Sequence, residues 1–343
     1  MNTITKKEKK GILLVNLGTP NSPETADVRT YLREFLMDGR VIDVNVIPRF
    51  ILVKGIIAPF RGPKSAKTYK EIWREDGSPL MVHSVKSAEL LQEKLGEEYK
   101  VVLAMRYQQP SIEQALKVFY DERIYDISVI PLFPQYASAT NSSVNQKVME
   151  IVSKWQIIPK ISFLNSFHDH PKLIEAFAAR GLEHTISDYD HVLFSFHGLP
   201  QRQMKKSDPS GQHCIKVKDC CLQKTENNKY CYSAQCHQTA ILIAEKLNIP
   251  KENYTICFQS RLGNDPWIQP YTSKTIKQLA EQGKKKLLVF CPAFVSDCLE
   301  TVYEVSMEYD EEFKEAGGEK VQLVTGLNGH PLWIDTLVEL VKG

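Results

Sequence analysis

No run of about 18 apolar residues occurs in the 343-residue sequence, which removes a membrane-spanning helix. The opening MNTITKKEKK has cations but no apolar segment of the secretory kind behind it. The short apolar stretch 11–17 reads as a first strand. The expected location is therefore cytoplasmic. Net charge nearly cancels: 43 Lys and Arg against 41 Asp and Glu leave +2. No basic run is interleaved with aromatics, so no nucleic-acid partner is expected. No GxGxxG follows a candidate strand, which argues against a nicotinamide dinucleotide enzyme. What is present is ordinary for a globular protein, with 43% hydrophobic and 24% charged residues. The length fits one large unit or two of about 150 residues.

Short apolar runs at 12–16, 100–105, 127–131, 161–164, 191–196, 254–259, 286–291 and 321–324 alternate with longer helical patterns. That alternation predicts an α/β protein with parallel sheets flanked by helices. Helical patterns cover 26–35, 84–95, 112–121, 139–155, 170–184, 233–247, 272–282, 298–309 and 331–341, with Pro171 and Pro331 suited to first turns. The sequence also echoes itself. GILLVNLGTP (11–20) resembles HVLFSFHGLP (191–200), and SVIPLFPQYASAT (128–140) resembles LLVFCPAFVSDCLET (287–301). The echo predicts two similar Rossmann-like domains, 1–187 and 188–330, with ligand bound in a cleft at the carboxyl ends of their strands. A last helix at 331–343 is expected to pack back on the first domain.

Eight cysteines in such a chain point to metal or redox chemistry rather than disulfides. Five of them, Cys214, Cys220, Cys221, Cys231 and Cys236, fall between positions 214 and 236, in and just after a polar, aperiodic stretch at 207–230. A structureless stretch of that length inside a domain is uncommon and is usually functional. The spacing offers only one short knuckle, Cys231-x4-Cys236, where structural zinc generally uses two. A [2Fe–2S] cluster, whose two irons share four thiolates, accommodates the looser spacing better; zinc and free redox-active thiols remain open. Cys220 and Cys221 point apart as neighbours, so the favoured ligands are Cys214, Cys221, Cys231 and Cys236, with Cys220 as the alternative. His213 is read as a bystander.

Ser195–Pro200, SFHGLP, places His197 at the carboxyl end of a predicted buried strand, where open α/β sheets bind ligands. Gly198 allows close approach, and Pro200 stiffens the exit. Further on, Asp297, Glu300 and Glu304 stand at i, i+3 and i+7 and would line one helical face. Like charges so arranged repel unless a cation or protons neutralise them. With His197 they predict a path for protons or a divalent metal. The segment 46–61, VIPRFILVKGIIAPFR, is apolar with three spaced cations, Arg49, Lys54 and Arg61. It fits a core element, or a lip in peripheral contact with an anionic membrane face.

Together these residues resemble the ferrochelatase family over nearly the whole chain. SFHGLP is similar to the family's active-site histidine loop, and CLETVYE to its acidic helix. GILLVNLGTP, MRYQQP (105–110), PLFPQYASAT (131–140), FQSRLGNDPWIQP (258–270) and GLNGHP (326–331) follow in the family's order. The resemblance implies two Rossmann-like domains enclosing a porphyrin cleft. It implies insertion of Fe²⁺, as substrate, into protoporphyrin IX with release of two protons, the final step of haem biosynthesis. It places His197 and Glu300 at the macrocycle centre as metal-handling and catalytic groups, with Asp297 and Glu304 continuing the acidic path. Arg61, Tyr69, Ser78, Tyr107 and Trp267 are implied to line the cleft. The segment at about 207–236 is similar to an insertion in a bacterial subset whose cluster ligands lie internally. A related chelatase using coproporphyrin or another metal, and a non-catalytic iron–sulfur or haem-binding sensor, are the competing functions.

Overall fold

The structure is a computed structural model and describes residues 8–261, 263 and 265–343. Most of the cationic opening and two residues of the 258–270 segment, Leu262 and Asn264, lie outside the described residues.

Among the described residues eight strands form two four-stranded parallel sheets. The first contains β1 (Lys10–Gly18), β2 (Tyr99–Tyr107), β3 (Asp126–Pro131) and β4 (Lys160–Phe163), in the order β2-β1-β3-β4. The second contains β5 (His191–His197), β6 (Tyr254–Gln259), β7 (Lys286–Phe290) and β8 (Lys320–Leu323), in the order β6-β5-β7-β8. Adding four to each strand number of the first order gives the second, so the sequence echo is one topology used twice. β1 and β5 are the counterparts, and each is buried along nearly its whole length. Central parallel strands need helical cover on both faces, which is why these runs are continuously apolar rather than alternating.

Under the second sheet Leu193, Leu287 and Val289 pack with Ile276, Val305 and Phe313, all with essentially no exposed surface. Burying each such side chain is worth about 1.5–3 kcal/mol. Local signals set the helix starts. The helix Ile112–Asp121 begins with a capping box from Ser111 and Gln114. Prolines open the helices Pro171–Gly181 and Pro331–Lys342.

The chain divides into two compact units. One comprises the residues up to Leu132, Ser138–Asn165 and Ile334–Gly343; the other comprises Phe133–Ala137 and Ser166–Trp333. The expected boundary at 187/188 is therefore displaced to 165/166. The helix Pro171–Gly181 belongs to the second unit because it packs on the helix Tyr232–Lys246 and presses Gly181 against Phe290 of β7. A Cβ on Gly181 would come within 2.6 Å of the Phe290 ring.

The helical reading changes at two places. The pattern at 298–309 is a short helix, Leu299–Val302, followed by a π-helical turn, Glu304–Tyr309. Asp297 precedes this helix, so the three acids do not share one regular helical face. The segment 46–61 is also helical: Val46–Phe50, a π-helical stretch Ile51–Ile57, then Ala58–Ile72. Its inner residues Val53 and Ile57 pack with Leu36 and Ile42. Its outer residues Ile47, Phe50, Ile51, Ile56 and Phe60 are exposed, Phe60 by 77%.

Candidate active site

His197 is the last residue of β5 and stands opposite Gln259, the last residue of β6. The chain leaves β5 through a tightly specified turn. Gly198 donates its N–H to the Gln259 carbonyl at 2.8 Å, and a Cβ on Gly198 would meet that same oxygen at 2.8 Å. Only glycine fits so close to a neighbouring backbone. Pro200 then pairs with Trp267, and Ile268 donates to the Leu199 carbonyl at 3.0 Å. This pairing brings the Trp267 ring 6.3 Å from the His197 ring. Trp267 is buried, and its indole nitrogen has no hydrogen-bond partner among the described residues.

The His197 ring has a defined tautomer. Nδ1 lies 2.7 Å from the Gly198 carbonyl, which can only accept, so Nδ1 carries the hydrogen. Nε2 is left with its lone pair, ready to take a proton or bind a metal. Burial lowers the imidazole's proton affinity, while Glu300 and the Gly198 carbonyl oppose that shift. The net result is a neutral ring near pH 7.

The acids divide into two kinds. Glu300 and Glu304 are electrostatic neighbours, and Glu300 also acts on His197. Burial, reinforced by Glu300, pushes the Glu304 carboxyl up to about 7. Glu304 Oε2 accepts from Ser260 Oγ at 2.6 Å and from Gln259 Nε2 at 3.0 Å. Gln259 is itself oriented by Ser195, whose hydroxyl donates to Oε1 at 2.7 Å. Ser260 adopts φ of 66°, a left-handed conformation uncommon for serine, and its hydroxyl is held against Glu304. Asp297 differs. Its two oxygens accept from Thr301 Oγ1 (3.0 Å), Gly326 N (3.1 Å) and Asn328 Nδ2 (2.7 Å). Asp297 ties the GLNGHP loop to the start of the helix.

The residues expected to line the cleft in the first unit are placed differently from one another. Arg61 is exposed. Tyr69 is buried between Tyr31 and Trp73. Ser78 caps the helix Pro79–Leu95, accepting from Met81 N at 3.3 Å. Tyr107 is buried, with its hydroxyl donating to Asp38 at 2.9 Å. Gln259 and Ser260 were not anticipated. Their position at the carboxyl end of a candidate strand was the available signal.

The cysteine-rich stretch is held by turns. Asp208 accepts from Ser210, His213 N and Cys214 N, and Asn228 Nδ2 donates to the Cys220 carbonyl at 2.9 Å. Cys231 lies in the electrostatic reach of Cys214 and Cys221, and Cys236 in that of Cys221 and Cys231. Cys220 stands 4.0 Å from Cys221. His213 points Nε2 at the Cys220 carbonyl. Among the described residues, no three His, Cys, Asp or Glu side chains are arranged to hold one metal ion. Among the described residues no helix is long and apolar enough to cross a membrane.

Solved structures define the class. Those of SirB from Bacillus subtilis with Fe³⁺ (TM-score 0.54) and of the sirohydrochlorin chelatase SirB in complex with cobalt (0.52) each match 97% of this chain and 94% of theirs at 12% identity. The fold is thus the chelatase type. The ferrochelatase family model matches residues 9–343, and this chain belongs to the ferrochelatase family, which comprises metal-chelating lyases. A Legionella pneumophila ferrochelatase is 43% identical over 97% of this chain and 99% of its own length. A Stutzerimonas stutzeri ferrochelatase is 44% identical over 97% of both, and one from Coxiella burnetii 40% over 99% and 95%.

Proposed function

We propose that this protein inserts Fe²⁺ into protoporphyrin IX, releasing two protons, as the haem-forming ferrochelatase step. The observation that carries this reading is an imidazole with its Nε2 lone pair fixed, beside Glu300, with Glu304 held near neutrality. Metalation must remove two pyrrole protons and guide a dehydrating cation into a planar four-nitrogen hole. His197 Nε2 accepts a pyrrole proton or guides the metal, a role suited to a neutral imidazole. Glu300 takes the proton onward, and Glu304, titrating near 7, passes it to solvent. Apolar gripping that bends the macrocycle would aim its lone pairs at the metal, with Trp267 as the wall nearest His197. The test is anaerobic addition of porphyrin and Fe²⁺, followed by visible absorbance. Conversion to a haem spectrum supports the reading, and full activity in His197→Ala removes it. Competition between protoporphyrin and coproporphyrin, and between Fe²⁺ and Co²⁺, fixes the preferred pair.

The finer assignment for the cysteines is a [2Fe–2S] cluster on Cys214, Cys221, Cys231 and Cys236, with Cys220 as the spare. A two-iron group takes two thiolates on each iron, so thiols meeting in pairs fit it better than three donors converging on one ion. Bound there, it would supply iron–thiolate bonds in place of the hydrophobic core that the stretch 207–230 lacks. It stands outside the metalation chemistry. Broad thiolate-to-iron absorbance in the isolated protein, lost in Cys231→Ser, is the expected signature.

The outer face of Val46–Ile72 is proposed to rest on an anionic membrane surface, making the protein peripheral at the cytoplasmic side. Exposed Ile47, Ile51, Ile56 and Phe60, beside Lys54 and Arg61, fit an apolar face with a cationic rim. Co-sedimentation with anionic vesicles should be lost on combining Ile51→Glu with Ile56→Glu.

A further inference from the structure

Three polar side chains lie one behind another at the carboxyl ends of β5 and β6. Ser195 and Thr272 have no exposed surface, and Gln259 keeps 2%. The Gln259 side chain is held at both ends of its amide. Its oxygen accepts from Ser195 Oγ at 2.7 Å, with the Cys291 thiol at 3.8 Å. Its nitrogen donates to the Glu300 backbone carbonyl at 2.7 Å and to Glu304 Oε2 at 3.0 Å. An amide oxygen cannot donate, so the one hydroxyl hydrogen of Ser195 is spent on Gln259. The 2.9 Å bond between Ser195 and Thr272 is therefore donated by Thr272. Donation runs one way, from Thr272 through Ser195 and Gln259 to the acids.

The first sheet shows what these positions need for folding alone. Val15 is the counterpart of Ser195, pairing with Ala104 on the neighbouring strand as Ser195 pairs with Cys257. Ile112 is the counterpart of Thr272, each two residues after the proline whose carbonyl takes a strand N–H. Val15 and Ile112 are buried and apolar. Hydroxyls in their place carry a desolvation cost that only complete pairing offsets. The same strand order stands without that cost in the first sheet.

We propose that Thr272 and Ser195 are positioning residues for the acids, acting through the Gln259 amide. A flipped amide would set its oxygen against the Glu300 carbonyl, which has no hydrogen to donate. Ser195 keeps that oxygen turned away, and Thr272 keeps the Ser195 hydroxyl turned to Gln259. The Gln259 backbone carbonyl also takes the Gly198 N–H at 2.8 Å. One residue thereby fixes the start of the Glu300 helix relative to the His197 turn. This assignment rests on the functional reading of His197 and the acids given above.

The test uses the full-length protein and Zn²⁺ insertion into porphyrin, with Thr272→Val, Ser195→Ala and both together. Thr272→Val should lower kcat about threefold and Ser195→Ala about tenfold, with the porphyrin KM steady. The pair should lose no more than Ser195→Ala alone, because Thr272 acts only through Ser195. Thr272→Ser, which keeps the hydroxyl, should retain the unaltered rate. Losses that multiply to about thirtyfold, or a raised KM with unchanged kcat, overturn the proposal. Ser195→Val, the residue of the first sheet, replaces Ser195→Ala if the alanine variant does not fold. A second readout needs no turnover: the side-chain amide resonances of Gln259, identified by their loss in Gln259→Met. Thr272→Val should move them when Ser195 is present, and no more than about a third as far in Ser195→Ala. Equal movement in both backgrounds, or none in either, overturns the relay. If the unaltered protein metalates no porphyrin, the functional reading fails while the amide resonances still decide on the relay.

Discussion

The two sheets share one strand order yet end in opposite chemistry. At the carboxyl end of β1 stands Leu17, where its counterpart β5 carries His197. One residue along the neighbouring strand, Arg106 and Gln259 are also counterparts. Each follows a residue whose N–H bonds a proline carbonyl, Met105 to Pro110 at 2.7 Å and Phe258 to Pro270 at 2.8 Å. Arg106 donates to Asp38 at 2.8 Å, and Tyr107, Ser143 and the Arg40 N–H complete that carboxylate's shell. Burial alone would raise Asp38, but these donors and the guanidinium hold it below the ordinary carboxyl range. Gln259 is neutral and gives Glu304 only a hydrogen bond, so burial and Glu300 prevail and Glu304 rises. Supplying a cation produces a brace, and withholding it produces a titrating group. The same scaffold therefore has one end that holds and one end that reacts.

Alterations that exchange these roles test the contrast. His197→Ala should lower porphyrin metalation about a thousandfold with the circular dichroism spectrum unchanged, while Leu17→Ala leaves the rate within about threefold. Asp38→Asn should destabilise the fold by about 3 kcal/mol in denaturant unfolding, because the largely buried Arg106 would be left without its counter-charge. Asp38 also gives a pH test of defined sign. Its folded value is depressed, so its stabilisation is present above the unfolded carboxyl range and is lost as pH falls through the folded value.

The paired glycines separate stability from rate. Gly18 has φ of 113°, and a Cβ there would meet the Tyr107 carbonyl at 2.0 Å, so Gly18→Ala should cost about 2 kcal/mol in thermal or denaturant unfolding. Gly198→Ala, with the milder clash at 2.8 Å, should show mainly as about a tenfold loss of kcat through a displaced His197.

The smallest effect concerns Glu304. Its raised value means that the folded protein keeps a proton the unfolded chain has released, so its contribution to stability declines as pH rises from about 4.5 to about 7. Glu304→Gln should flatten that slope and remove an inflection near pH 7 from kcat/KM. Persistence of both features would detach Glu304 from the proton path.

The strands were legible because burial on both faces forces continuous apolar runs, and the doubled strand order was legible because its halves still share residues. His197 could be picked out for a similar reason: it ends a strand, where α/β sheets place ligands, whereas Glu300 lies in the helix Leu299–Val302, ten positions beyond β7. What the sequence concealed depends on register. A π-helical turn beginning at Glu304 breaks the regular spacing that grouped the acids, and nothing in the string CLETVYE announces it. Asp297 looked like a third acid because its partners, Gly326 and Asn328, are some thirty positions away. Tyr107 and Ser78 hold hydrogen bonds to Asp38 and to the start of the helix Pro79–Leu95, which the sequence alone does not show. The unit boundary was misplaced because no change of composition marks Asn165.

The Gly198 carbonyl that fixes the His197 ring belongs to the main chain one residue away. Many enzymes entrust that task to a distant aspartate or asparagine, which a single codon change can remove. Here no replacement of a surrounding side chain deletes the partner itself. The neighbourhood is correspondingly free to drift, so acids, walls and metal preference can diversify among descendants while the same ring nitrogen stays in service.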